Sequence, residues 1–100
     1  VLAVSQLVGV MTCVVVKTEH INKISDVKLG ICSVGKLGMS NIKLGNKGAV
    51  SIRFQLSTGP HKYKSFCFVG AHFSAHQNEV AKRNADYKAI ASGLQFQPLL

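Results

Sequence analysis

Three groups of residues in this chain have types and spacing suited to chemistry. Asn46 and Lys47 stand between Gly45 and Gly48, His72 closes an apolar run, and Arg83, Asn84 and Asp86 follow in a stretch rich in helix formers. All three suit an anionic ligand. A lysine ammonium, an asparagine amide and backbone donors freed by flanking glycines can surround one phosphoryl group, and Lys43 is near enough in sequence to join them. Histidine donates near neutral pH, so His72 can hydrogen-bond a phosphoryl oxygen or a leaving group. Arg83 and Asn84 can buttress the segment that carries His72, while Arg83 can alternatively pair with Asp86 across one helical turn.

Two sharper motifs fail on their own chemistry. Gly30 to Lys36 copies the first part of a nucleotide-binding P-loop, but Leu37 takes the place of the hydroxyl that would hold magnesium. His72 and His76 are four apart, yet the residues between them lack the glutamate of the zinc-protease pattern, and a strand-to-helix break is predicted to separate them.

The elements that must position these groups can be read from periodicity. Leu7 to Lys17 is nearly continuous in valine and predicts a central strand with both faces covered. Residues 21–29 fit a short helix, a turn or a strand. Gly30 to Gly48 holds five glycines among lysines and predicts a loop that approaches a ligand closely, leaving Leu37, Met39, Ile42 and Leu44 exposed. Val50, Ile52, Phe54 and Leu56 alternate with Ala49, Ser51, Arg53 and Gln55, the pattern of a strand with one buried face, and Ser57 to Pro60 signals a turn. Ser65 to Phe73 predicts its antiparallel partner, with Phe66, Phe68, Gly70 and His72 on one face. Ser74 and Gln77 then suit a capping box opening a helix of about 20 residues, with Val80, Tyr87, Ile90, Ala91 and Leu94 toward the core and Pro98 as the stop.

At 100 residues and 47% hydrophobic the chain suits one small core, with no internal boundary. Its apolar ends, Val1-Leu2-Ala3-Val4 and Leu99-Leu100, predict an internal portion of a longer protein. A net charge of +8 gathers phosphates, nucleic acid or anionic lipid through the summed field. Cys13, Cys32 and Cys67 are odd in number with apolar neighbours, which predicts free buried thiols in a reducing, cytoplasmic setting. The apolar run to Val16 is interrupted by Ser5, Gln6 and Thr12 and falls short of the ~18 to 20 residues of a spanning helix.

The Gly-Asn-Lys-Gly turn with its alternating strand, the segment Val69 to His76 and the Arg-Asn-x-Asp-Tyr-Lys stretch from Arg83 to Lys88 together closely resemble inositol polyphosphate 5-phosphatases. Leu7 to Met11 and the Val16-Lys17-x-x-His20 segment share the resemblance, which runs from about Val4 to Phe96. It implies the α/β four-layer sandwich of the endonuclease/exonuclease/phosphatase type, of which residues 1–100 would be the middle portion of one catalytic domain. It also implies magnesium-dependent hydrolysis of the 5-phosphate of a phosphoinositide or inositol polyphosphate by the whole protein, this portion alone being inactive. His72 would contact the scissile phosphate, Lys43, Asn46 and Lys47 would hold the lipid's 1-phosphate, and Leu37, Met39 and Ile42 would touch an anionic membrane. The metal ligands are expected outside these residues, nucleic acid is not an expected partner, and the setting is cytoplasmic and peripheral to membranes. Two departures stand out: Gly48-Ala49 where the family has Gly-Gly, and Gly70-Ala71-His72-Phe73 where it has Asn-Ser-His-Leu. The Gly70-Ala71 departure favours the alternative of a non-catalytic phosphoinositide-binding module.

Overall fold

The computed structural model describes residues 1–7, 9–34 and 47–98. The chain runs β1 (Ala3–Leu7), β2 (Val10–Val14), a 3-10 turn (Thr18–Lys23), β3 (Ile24–Ser33), β4 (Gly48–Gly59), β5 (Lys62–His72), α1 (Val80–Gly93) and β6 (Gln95–Pro98). The predicted pairing of the two long strands is present. β4 and β5 run antiparallel with Phe54 opposite Phe66, Val50 opposite Gly70 and Gly48 opposite His72. Each continues beyond its predicted turn-side end, so that the reversal falls at Pro60-His61, where His61 takes φ 57°. Residues 21–29, open in the sequence, divide between the 3-10 turn and β3, which flanks β4 on its other side; β6 closes the order β5-β4-β3-β6.

Both faces of β4 are covered at its first half, which is why Ala49, Val50, Ser51 and Ile52 are all fully buried. On one face lies a separate two-stranded hairpin of β1 and β2. Ala3 of that hairpin packs in one cluster with Ile52 and Phe54, joined at its edge by Leu2, Val14, Leu29 and Phe66. Three phenylalanines, Phe54, Phe66 and Phe68, stack with centroids 5.6 to 6.3 Å apart on this face, a geometry that adds to plain area burial. The opposite face carries α1, whose Ala89 carbonyl accepts from the Cys32 thiol at 3.7 Å.

Several sequence readings are overturned here. Leu7 to Lys17 is not one central strand: the chain reverses at Gly9, with φ 88°, and lays the valine run across the sheet as a hairpin. Only one side of that run is covered, so Met11 and Val15 are exposed. The predicted loop begins later than expected, because Gly30 to Ser33 belong to β3. That placement also removes the P-loop reading, since the backbone donors of these residues serve a sheet. Cys13 and Cys67 are exposed and Cys32 is half-buried, so the thiols are free as expected but not buried. No helix among the described residues is long and apolar enough to cross a membrane.

The helix differs most. It begins at Val80 behind Glu79, which makes no side-chain cap, while Ser74, the predicted cap, donates to Asp86 instead. Val80 and Tyr87 are 55% and 64% exposed, whereas the inward line is Arg83, Asp86, Ile90 and Leu94. Those four recur at helical spacing as well as the apolar set does. The polar pair wins the inner face because the loop between β5 and α1 offers it hydrogen-bond partners, and Gly93 allows close approach to Cys32.

Candidate active site

β5 delivers His72 at its last residue, directly across from Gly48, the first residue of β4. Register therefore brings the residue before Gly48 to the histidine. Lys47 Nζ lies 3.1 Å from His72 Nε2, and both residues are half-buried. The Lys47 backbone is held too, its carbonyl accepting from the Val34 N–H at 2.9 Å. Two of the sequence-selected residues thus meet, although 25 positions separate them.

The segment after His72 is tied to α1 rather than capping it. Asp86 accepts from both the N–H and the hydroxyl of Ser74, each at 2.7 Å. Arg83 donates to the carbonyls of Ser74, His76 and Gln77. Arg83 and Asp86 do not pair with each other as the sequence allowed; they divide one loop between them. Charge-assisted bonds of this kind are about twice as strong as neutral ones, and they hold the backbone just beyond His72. Asn84, expected beside Arg83, is exposed on α1. Asp86 and Ser74 are the residues whose role the sequence reading missed; the signal was a carboxylate and a hydroxyl on facing segments, masked by the more familiar capping pattern.

Lys43, Asn46, Leu37, Met39 and Ile42 lie outside the described residues. So the proposed phosphate pocket is described at Lys47 alone. Among the described residues, no group of three His, Cys, Asp or Glu side chains could hold a metal ion, and the donor set at His72 does not fit magnesium. An apolar groove of about 550 Å³ lined by Val15, Phe54, Phe66 and Phe68, with Lys17 and Lys23 at its rim, lies toward the other end of the sheet. Its walls suit hydrocarbon, not phosphate, and it is separate from the Lys47–His72 pair.

An antiparallel sheet with a helix on one face and a lysine–histidine contact at a strand end defines a mixed α/β protein. The model of a family described as Endonuclease/Exonuclease/phosphatase family 2 matches residues 1–99, and the chain belongs to that family. Type II inositol 1,4,5-trisphosphate 5-phosphatase of Mus musculus is 42% identical over 91 residues, 91% of this chain and 8% of that protein. Synaptojanin-2 of Homo sapiens is 42% identical over 92 residues, covering 92% of this chain and 6% of its own length. Polyphosphatidylinositol phosphatase INP53 of Saccharomyces cerevisiae is 35% identical over 95 residues, 95% of this chain and 8% of that protein. The chain thus spans only 6% to 8% of the length of these relatives.

Gly70, where the resemblance leads one to expect asparagine, is a close-packed position in this fold. Gly70 faces the hairpin, and a Cβ at that position would meet Thr12 Oγ1, with Val10 also in contact. Restoring asparagine, Gly70→Asn, is expected to push the hairpin off the sheet at a cost of about 1 to 3 kcal/mol. A lowered midpoint of thermal unfolding checks this; an unchanged midpoint would mean that the hairpin can move aside freely.

Proposed function

We propose that this chain is the middle portion of one catalytic domain of an inositol polyphosphate 5-phosphatase, built as the four-layer sandwich of its superfamily. The single observation that carries the reading is the contact between Lys47 and His72 at the mouth of the β4–β5 pair. It brings together two of the residues that the resemblance assigns to the substrate's phosphates. In this reading His72 hydrogen-bonds the scissile 5-phosphate and stabilises charge as the ester breaks, while Lys43, Asn46 and Lys47 form the phosphate-binding turn. Arg83 and Asp86 fix the backbone after His72, and Asn84 lies on the outer side of the same helix.

Magnesium belongs to the reading as the metal of the intact protein, with its ligands outside the described residues. Leu37, Met39 and Ile42 are proposed as a peripheral membrane contact, in which a few apolar groups and nearby lysines act together on anionic lipid. The net charge of +8 supports that placement, and a cytoplasmic setting, peripheral to membranes, accords with the free thiols. The substrate is a phosphoinositide or a soluble inositol polyphosphate rather than nucleic acid.

The test is phosphate release by the intact protein, with magnesium, from vesicles containing phosphatidylinositol 4,5-bisphosphate and from soluble inositol 1,4,5-trisphosphate. Release from either, with no nicking of DNA, is the expected result. Binding to the vesicles without any release would favour the second reading, a phosphoinositide-binding module, which the Gly70-Ala71 departure from the family pattern keeps in view.

A further inference from the structure

We propose that the apolar groove away from the Lys47–His72 contact binds the hydrocarbon tail of a single anionic amphiphile of the fatty-acid class, with its head held by Lys17 and Lys23. The groove measures about 550 Å³, within the ~300 to 1,000 Å³ of clefts that hold small ligands. Val16, Ile24, Phe54, Leu56, Phe66 and Phe68 wall it. Phe54 is buried, whereas Phe68 and Val15, which also line it, are 48% and 71% exposed. Apolar surface left open in one concavity marks a place for a ligand, whereas the same residues scattered singly would mean nothing.

Two features of the groove select the occupant. The first is that its walls offer no hydrogen bond. Apart from the basic side chains at the rim, Ser57 is the one polar residue among the described residues lining it, and its hydroxyl donates to the Gly59 carbonyl at 3.3 Å. A peptide laid in the groove would leave backbone groups without partners, a burial that is costly, whereas a chain of methylenes carries none. The second is the sign of the charge at the rim. Lys17, His20 and Lys23 come from one short stretch at the 3-10 turn between β2 and β3, and Lys23 Nζ lies 3.4 Å from His20 Nδ1. Glu19, the acid of that turn, is directed to the other nitrogen of His20 at 3.7 Å, and among the described residues Lys17 meets no carboxylate. Lysines suit such a rim, since their stems pack on apolar surface while their ammoniums stay in water. Hydrocarbon walls ending in cations complement a tail that ends in an anion.

The test is titration calorimetry of the intact protein with myristate, kept below the concentration at which it aggregates. One molecule is expected to bind. Laurate, two methylenes shorter, should bind about fifteenfold more weakly, since each buried methylene is worth about fourfold, and myristyl alcohol should bind about tenfold more weakly than myristate for want of the charge. Lys17→Met with Lys23→Met should erase the preference for the acid and leave the dependence on chain length. Phe68→Asp should abolish binding with the circular dichroism of wild type, and Val15→Asp, at a still more exposed position, gives the same reading should Phe68→Asp fail to fold. Absence of binding by the intact protein would mean that another part of it fills the groove, and overturns the proposal. Binding that both aspartate variants leave unchanged, or an acid preference that the lysine variants leave unchanged, does so too. Binding to phosphatidylserine vesicles without binding of monomeric myristate would assign the patch to a membrane surface and equally overturn it. Because binding is read without turnover, each outcome stands whether or not the protein releases phosphate.

Discussion

His72→Ala is expected to cut phosphate release by the intact protein about a hundred- to ten-thousandfold, the usual contribution of a positioned proton donor. The size comes from where the side chain sits. His72 is the last residue of β5, half-buried and in contact with a lysine ammonium, so its removal takes away the directed donor and leaves Lys47 without its partner. The fold should survive. Among the described residues the largest fully buried side chains are those of Ile52, Val50 and Ser51, whereas His72 is only half-buried. Circular dichroism and thermal unfolding of the variant should therefore match wild type within about 1 kcal/mol. Full activity at retained folding would remove His72 from the chemistry.

The second large effect is on stability. Gly48→Ala is expected to destabilise the domain by about 3 kcal/mol or more, combining strain at a backbone conformation side chains rarely adopt with a collision against a neighbouring strand. Gly48 has φ 141°, and the new methyl would overlap the Cys32 carbonyl and crowd the Ser33 Cα. Backbone atoms of β3 cannot swing aside as a flexible side chain can. Separation of β3 from β4 at this point would also move Lys47, whose carbonyl is bonded to Val34. Denaturant unfolding should show the lowered midpoint, and any surviving folded protein should have lost activity beyond its loss of stability. An unaffected midpoint would mean that β3 and β4 can part here at no cost. Alanine is the residue at the next position, Ala49, without difficulty, because that residue is an ordinary extended one.

The β4–β5 pair was legible because Val50, Ile52 and Phe54 alternate with polar or small residues, and period two puts all three on one face of the strand. The position of His72 at a strand end came from the same argument. Its meeting with Lys47 was not legible, since cross-strand register depends on where the turn reverses, and a signal spread from Ser57 to Pro60 does not show that the strands run on to Gly59 and Lys62. The helix misled for a related reason. Val80 and Tyr87 make an apolar line on one side of α1, but Arg83 and Asp86 make an equally regular line on another, and hydrogen bonds to the loop carrying Ser74 decided between them. A count of apolar residues cannot weigh such bonds. Likewise the valine run from Val10 to Val16 has no alternation, and nothing but the positive φ at Gly9 separates a hairpin from a single strand.

The long β4–β5 pair also acts as a ruler. From the reversal at Pro60-His61 to His72 the chain advances about 3.3 Å per residue, and the histidine meets its lysine only when that count is right. One residue gained or lost within either strand would turn the imidazole to the opposite face, with neither Lys47 nor His72 replaced. A residue added at the reversal itself, where Pro60 and His61 are exposed and far from the Lys47–His72 contact, would instead leave the count within each strand unaltered.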